Sequence, residues 1–263
     1  MVLRRVAGAT ACAGWIAAGL AAWTALPEAA GAAPFDIVLD VLQTPSASQA
    51  AALAEAEAFW EDRILGYRGG TRIDELVIEV TAVEEDGEGG TLASADWLEA
   101  TEGAGFVLPT YGFIDFDLAD LAPLEEADEL VDTIVHEIAH VMGFGSLWPQ
   151  NGLYVEGSGA YTGGSALAVY RREFDPGASF IPVELGEGEG IDDVHWDEDW
   201  AGGRSELMTG FVDEDEFLSD TSLASFRDLG YRTASLPAPV PLPAALWLGL
   251  AGLGALAAAR RRG

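Results

Sequence analysis

Apolar and polar positions follow two different periods along this chain. Phe35 to Leu42 (FDIVLDVL) is apolar and β-branched, which predicts a strand. Ser46 follows a Thr-Pro step and is placed to cap a helix running through Leu65. In that segment Leu53, Ala56, Phe59, Trp60 and Ile64 recur at three- and four-residue steps and form one buried face. Arg72 to Val83 predicts a second strand, and Glu84 to Gly90, rich in acid and glycine, a turn. Phe106 to Phe116 is a third extended stretch that ends among Asp115, Asp117 and Asp120. Asp128 to Met142 returns to the helical period, with Val131, Ile134, Val135, Ile138, Val141 and Met142 on a broad apolar face and Gly143 at its end. From Gly143 to Gly203 glycine is frequent and only Ser165 to Phe174 reads as helix, so irregular loops over a rigid core are expected. A last helix, Ser219 to Leu229, stops at Gly230. No internal repeat is present. This order predicts an α+β fold: an N-terminal twisted sheet with a backing helix and a second long helix, then an irregular C-terminal lobe.

The two ends break the pattern. Arg4 and Arg5 precede an apolar run from Val6 to Leu26, and Ala30-Gly31-Ala32 supplies a small-x-small site; residues 1–32 read as a secretory signal peptide. Leu236 to Pro243 alternates proline, which holds an extended geometry, and Ala244 to Ala259 is apolar before Arg260, Arg261 and Arg262. Sixteen helical residues span about 24 Å against a hydrocarbon core of about 30 Å, so residues 236–263 form a marginal membrane segment with its arginines on the cytoplasmic side. Val240-Pro-Leu-Pro-Ala244 with that helix and the arginines resembles bacterial VPLPA/PEP-type sorting signals. The resemblance implies an exosortase-like enzyme as partner and a transient anchor. A plain membrane tail is the alternative. The expectation is an exported protein of the envelope, cell surface or extracellular matrix, with residues 33–235 as its folded domain.

Composition narrows the chemistry. There are 44 acidic residues against 13 basic ones, all arginine, for a formal net charge of −31. The acid excess argues against nucleic acid as a partner, because such a binder needs a basic face to neutralise phosphates. Cys12, inside the leader, is the one cysteine, so disulfides and thiolate metal sites are excluded from the remainder. Asp115, Asp117 and Asp120, and Asp213 to Glu216, could hold calcium, but no glycine-centred twelve-residue loop surrounds them, which favours solvated surface.

The three histidines carry the sharpest signal. His136-Glu137-Ile138-Ala139-His140 sets two imidazoles one turn apart on one side of the predicted helix, able to converge on one ion, with Glu137 beside them to reach a metal-bound water. A catalytic zinc takes three protein ligands and keeps a fourth place for water. His195 is the remaining histidine; Asp192, Asp193 and Asp197 are competing oxygen donors. Ser146 stands where the HExxHxxGxxH pattern has its third histidine.

A distal His195 followed by Glu206-Leu207-Met208-Thr209-Gly210 resembles the arrangement of leishmanolysin-like metallopeptidases, in which an insertion separates the HExxHxxG helix from the third histidine and a methionine turn. Leu108-Pro109-Thr110, Gly143 to Trp148, Tyr161 to Leu167, Ile181 to Glu184, His195-Trp196 and Leu223 to Tyr231 resemble bacterial members in the same order, over roughly residues 35–233. The resemblance implies a metzincin-like zinc protease: Zn2+ on His136, His140 and His195, Glu137 as general base, Met208 in the turn, and polypeptide substrates. The rival expectation is a non-catalytic surface or biofilm-matrix adhesion protein built on the same scaffold. A purely structural site needs the ligands but not Glu137.

Overall fold

The structure is a computed structural model that describes residues 35–213 and 215–234. The signal-peptide reading of residues 1–32 and the tail reading of residues 236–263 lie outside the described residues. Among the described residues no helix is long and apolar enough to cross a membrane.

The architecture is mixed α+β, with five helices and a small open sheet. The sheet runs in the order β1-β3-β5-β4, comprising β1 (Ile37–Val41), β3 (Leu76–Val83), β5 (Phe106–Asp117) and β4 (Ala93–Gly103). β1, β3 and β5 are parallel and β4 is antiparallel to β5. Register explains the alternation: Ile37, Leu76, Ile78, Val80, Ile114 and Phe116 are buried, while Val38, Asp40 and Val83 on the opposite face are open or half-open.

Helix α1 (Ala47–Glu61) begins at Ser46 in a capping box closed by Gln49 and buries Ala52, Leu53, Ala56 and Trp60. It ends four residues earlier than the periodicity predicts. Ile64 belongs instead to β2 (Ile64–Tyr67), which pairs with β8 (Tyr231–Thr233) near the C-terminal end of the described chain. The Trp60 indole N–H donates to the Val135 carbonyl at 2.9 Å, tying α1 to α3 (Leu130–Val141). A short α2 (Leu121–Ala127) precedes α3 and is separated from it by Asp128 in the left-handed region at φ +65°, so the long helix starts at Leu130 rather than Asp128.

The C-terminal half is loop-rich, as expected. It holds α4 (Gly164–Glu173), the short pair β6 (Ala160–Tyr161) and β7 (Ile181–Pro182), and α5 (Asp220–Asp228) capped by Ser219. Its core is aromatic. Trp196 stacks on Trp148 at 4.9 Å and on Trp200 at 5.5 Å between ring centroids, and Phe144 and Tyr161 meet it edge-on.

The acidic clusters do structural work. Asp117 accepts backbone N–H bonds from Asp86, Gly87 and Ala119, and Asp120 accepts one from Gly89. Asp115 accepts from the Thr81 hydroxyl. The carboxylates therefore pin the 84–90 turn to the end of β5, where the sequence suggests solvated acids or calcium ligands. Asp213 faces Arg204, and its N–H donates to Glu216.

Candidate metal centre

Helix α3 presents His136 and His140 one turn apart, and the segment after β7 returns His195 to them. The three Nε2 atoms form a nearly equilateral triangle, with separations of 2.9 Å (His136 to His140), 3.0 Å (His140 to His195) and 3.1 Å (His136 to His195). Among the described residues this is the group of histidine and carboxylate donors that converges on one point.

Each ring is oriented by a backbone carbonyl from a different segment. His136 Nδ1 meets the Leu207 carbonyl at 2.6 Å, His140 Nδ1 that of Phe144 at 3.0 Å, and His195 Nδ1 that of Ile191 at 3.0 Å. A carbonyl only accepts, so each Nδ1 carries the proton and each Nε2 keeps a lone pair. Three lone pairs thus face one another about 3 Å apart with no proton between them, an arrangement that a cation relieves. The rings are also held neutral. Burial lowers His136, burial and the two neighbouring imidazoles hold His140 well below the ordinary histidine range, and burial takes His195 down to about 3. Neutral imidazole is the form that binds metal.

Local chain geometry makes the convergence possible. After α3 the chain turns through Gly143 and Gly145, and the Phe144 carbonyl between them reaches back to His140. Ser146, in the place of the usual third histidine, donates its hydroxyl to the His140 carbonyl at 2.8 Å and so closes the helix end. Gly145 has φ +70°, and a Cβ there would lie 2.3 Å from the Val194 carbonyl oxygen. Only glycine lets the segment that carries His195 come this near. His195 is then fixed by neighbours on both sides: its carbonyl accepts from Glu184 N–H, and Trp196 N–H donates to the Met208 carbonyl, each at 3.0 Å.

The competing oxygen donors are engaged elsewhere. Asp192 accepts from the Glu187 and Gly188 N–H groups, Asp193 from Tyr154 and Gly157, and Asp197 from Asp199. Met208 is fully buried in the 206–210 turn, whose Leu207 carbonyl holds His136 and whose Gly210 lies against the His195 ring.

The triangle opens into a cleft of about 730 Å3. Glu137 lines it beside the histidines, and burial pushes its carboxyl up to about 8. One wall is the segment Leu92 to Asp96 with the start of β4; the other holds Ile191, Val194 and residues 209–212. β4 pairs with β5 on one side, and no described strand pairs its other side. The sequence pattern gives no strand here, because Ala93–Gly103 (ASADWLEATEG) is mostly polar and lacks the apolar alternation of a buried strand. The three orienting carbonyls are equally silent in a sequence, since every residue has one. Searches of protein-family models and of curated proteins give no match to this chain.

Proposed function

We propose that this chain is an exported zinc metalloendopeptidase of the metzincin type, leishmanolysin-like in the spacing of its ligands. The observation that carries the reading is the convergence of three neutral imidazoles at the floor of an open cleft, with the Glu137 carboxyl beside them. Three nitrogens held by one zinc ion at ~2.0–2.1 Å with tetrahedral angles lie about 3.3 Å apart, close to the separations found, and an all-imidazole set suits zinc. His136, His140 and His195 would hold the ion. Bound zinc supplies a Lewis acid and lowers the pKa of a water molecule toward ~7.

The protein's own groups do the rest. The Glu137 carboxylate accepts the proton of the attacking water and returns it to the leaving amine nitrogen. The unpaired edge of β4 offers backbone donors and acceptors along the cleft to an extended polypeptide. An adhesion scaffold has no use for a buried carboxyl beside the ligands on an open cleft.

The test is metal analysis of the purified protein with casein digestion. One equivalent of zinc, digestion that stops on chelation, and a Glu137→Gln variant that keeps its zinc but loses ~10²–10⁴-fold in turnover are the expected results. Undiminished digestion by Glu137→Gln, or protein that binds no metal, overturns the proposal.

A further inference from the structure

Glu206 is fully buried, and no cationic side chain reaches it among the described residues. Its surroundings supply donors only. Oε2 accepts from Met208 N–H at 2.9 Å and Oε1 from Ser219 N–H at 2.8 Å, and the hydroxyls of Ser222 and Ser219 also face the carboxylate. A carboxylate, which has acceptors alone, satisfies this set; a carboxamide would turn its own N–H groups toward another donor. Burying a charge without a counter-ion is costly, so the position calls for a reason.

The bonds themselves give one. Met208 N–H belongs to the turn whose Leu207 carbonyl orients His136. Ser222 Oγ accepts the Trp196 indole N–H at 2.7 Å, and Trp196 follows His195 directly. The Met208 carbonyl also accepts Trp196 N–H, so both histidine-bearing segments meet at the same turn. One carboxylate thus braces the carbonyl partner of the first histidine and, through a serine, the indole beside the third.

We infer that Glu206 is the positioning residue of the metal centre, setting the distance between His136 and His195 from behind while touching neither the ion nor substrate. The inference rests on the reading of the three histidines as a metal site, and it does not depend on the reaction catalysed there. Outer groups that orient ligands affect metal affinity by about 10–100-fold.

The experiment uses the full chain and three variants: Glu206→Gln, Ser222→Ala and Asp117→Asn. Asp117 is also a buried carboxylate that accepts backbone N–H bonds, but it supports the 84–90 turn and touches no histidine partner. Zn2+ affinity is read by competition with a chromophoric chelator, ligand geometry by the visible spectrum of the Co2+ form, and folding by circular dichroism. Folded Glu206→Gln is expected to bind Zn2+ 10–100-fold more weakly with an altered Co2+ spectrum, while Asp117→Asn keeps wild-type affinity and spectrum. Wild-type affinity and spectrum in Glu206→Gln, or an equal loss in Asp117→Asn, overturn the role. Should Glu206→Gln fail to fold, Ser222→Ala decides: a several-fold weaker affinity with a shifted spectrum supports the brace, and unchanged values sink it. Wild-type protein that takes up neither metal removes the metal centre itself, and the brace with it.

Discussion

Gly145 shows how much a single residue governs here. Its backbone lies so near Val194 that Gly145→Ala must push back the segment carrying His195, and the positive φ adds strain of about 1–2 kcal/mol. The expected outcome is a lower melting temperature together with weaker zinc binding, measured by thermal denaturation with and without excess zinc. Wild-type zinc affinity in that variant would show that the approach can be relaxed without moving the ligand. At this scale the histidine cluster is legible: His136 and His140 declare themselves by helical spacing, and His195 is the histidine that remains once Ser146 fills the third place of the pattern. What could not be read were Leu207, Phe144 and Ile191, which act through carbonyls and leave no mark in residue type. Glu206 was visible only as part of a turn. Its role comes from contacts with Ser219 and Ser222, beyond the reach of any local pattern.

Among the elements, the β4–β5 hairpin repays closest reading. Its turn places Ala104 at φ +53°, a left-handed conformation that disfavours a Cβ, with Gly105 following at φ +87°. Ala104→Gly relieves about 1–2 kcal/mol of strain and returns part of it as unfolded-state entropy, leaving a gain of up to ~1 kcal/mol. A rise in the urea midpoint checks this; a fall would mean that the Ala104 methyl contributes more by packing. Elements with a strong period were readable, since α3, α4 and α5 fall within two residues of their patterns at each end. β4 was not, because an edge strand that faces a cleft needs little apolar surface. The boundary of α1 misled for a related reason: Ile64 continues the helical period, yet it is buried by its strand pairing near the C-terminal end of the described chain.

For the whole molecule, charge sets the terms. The ion pairs found among the described residues are those of Arg204 with Glu198 and Asp213, while Arg63, Arg68, Arg171 and Arg232 donate to carbonyls. Most of the acid excess is therefore uncompensated, and the folded form repels itself. Raising sodium chloride from about 0.1 to 1 M shortens the screening length from about 10 to 3 Å and is expected to raise the melting temperature. A flat or falling response would show that the acids are too well spread to matter. Acidity acts in the same direction through Glu216, whose carboxyl is pushed up to about 8 by burial, with Asp132, Glu206 and Glu129 adding to it. Folding favours its protonated form, so its contribution is whole below the ordinary carboxylate range and is lost as pH rises through about 8. Glu216→Gln should accordingly gain stability over wild type as pH goes from 5 to 9, compared by denaturant titration at each pH. A constant difference would remove Glu216 from the pH response. The convergence of the histidines has a topological meaning as well. His140 and His195 are 55 residues apart, in a chain whose single cysteine is Cys12. An ion shared between them is a cross-link, closing a loop whose tethering is worth about 4 kcal/mol on chain-entropy grounds. Chelation of such an ion should loosen the span from Gly143 to Val194, and limited proteolysis would find its first cuts there.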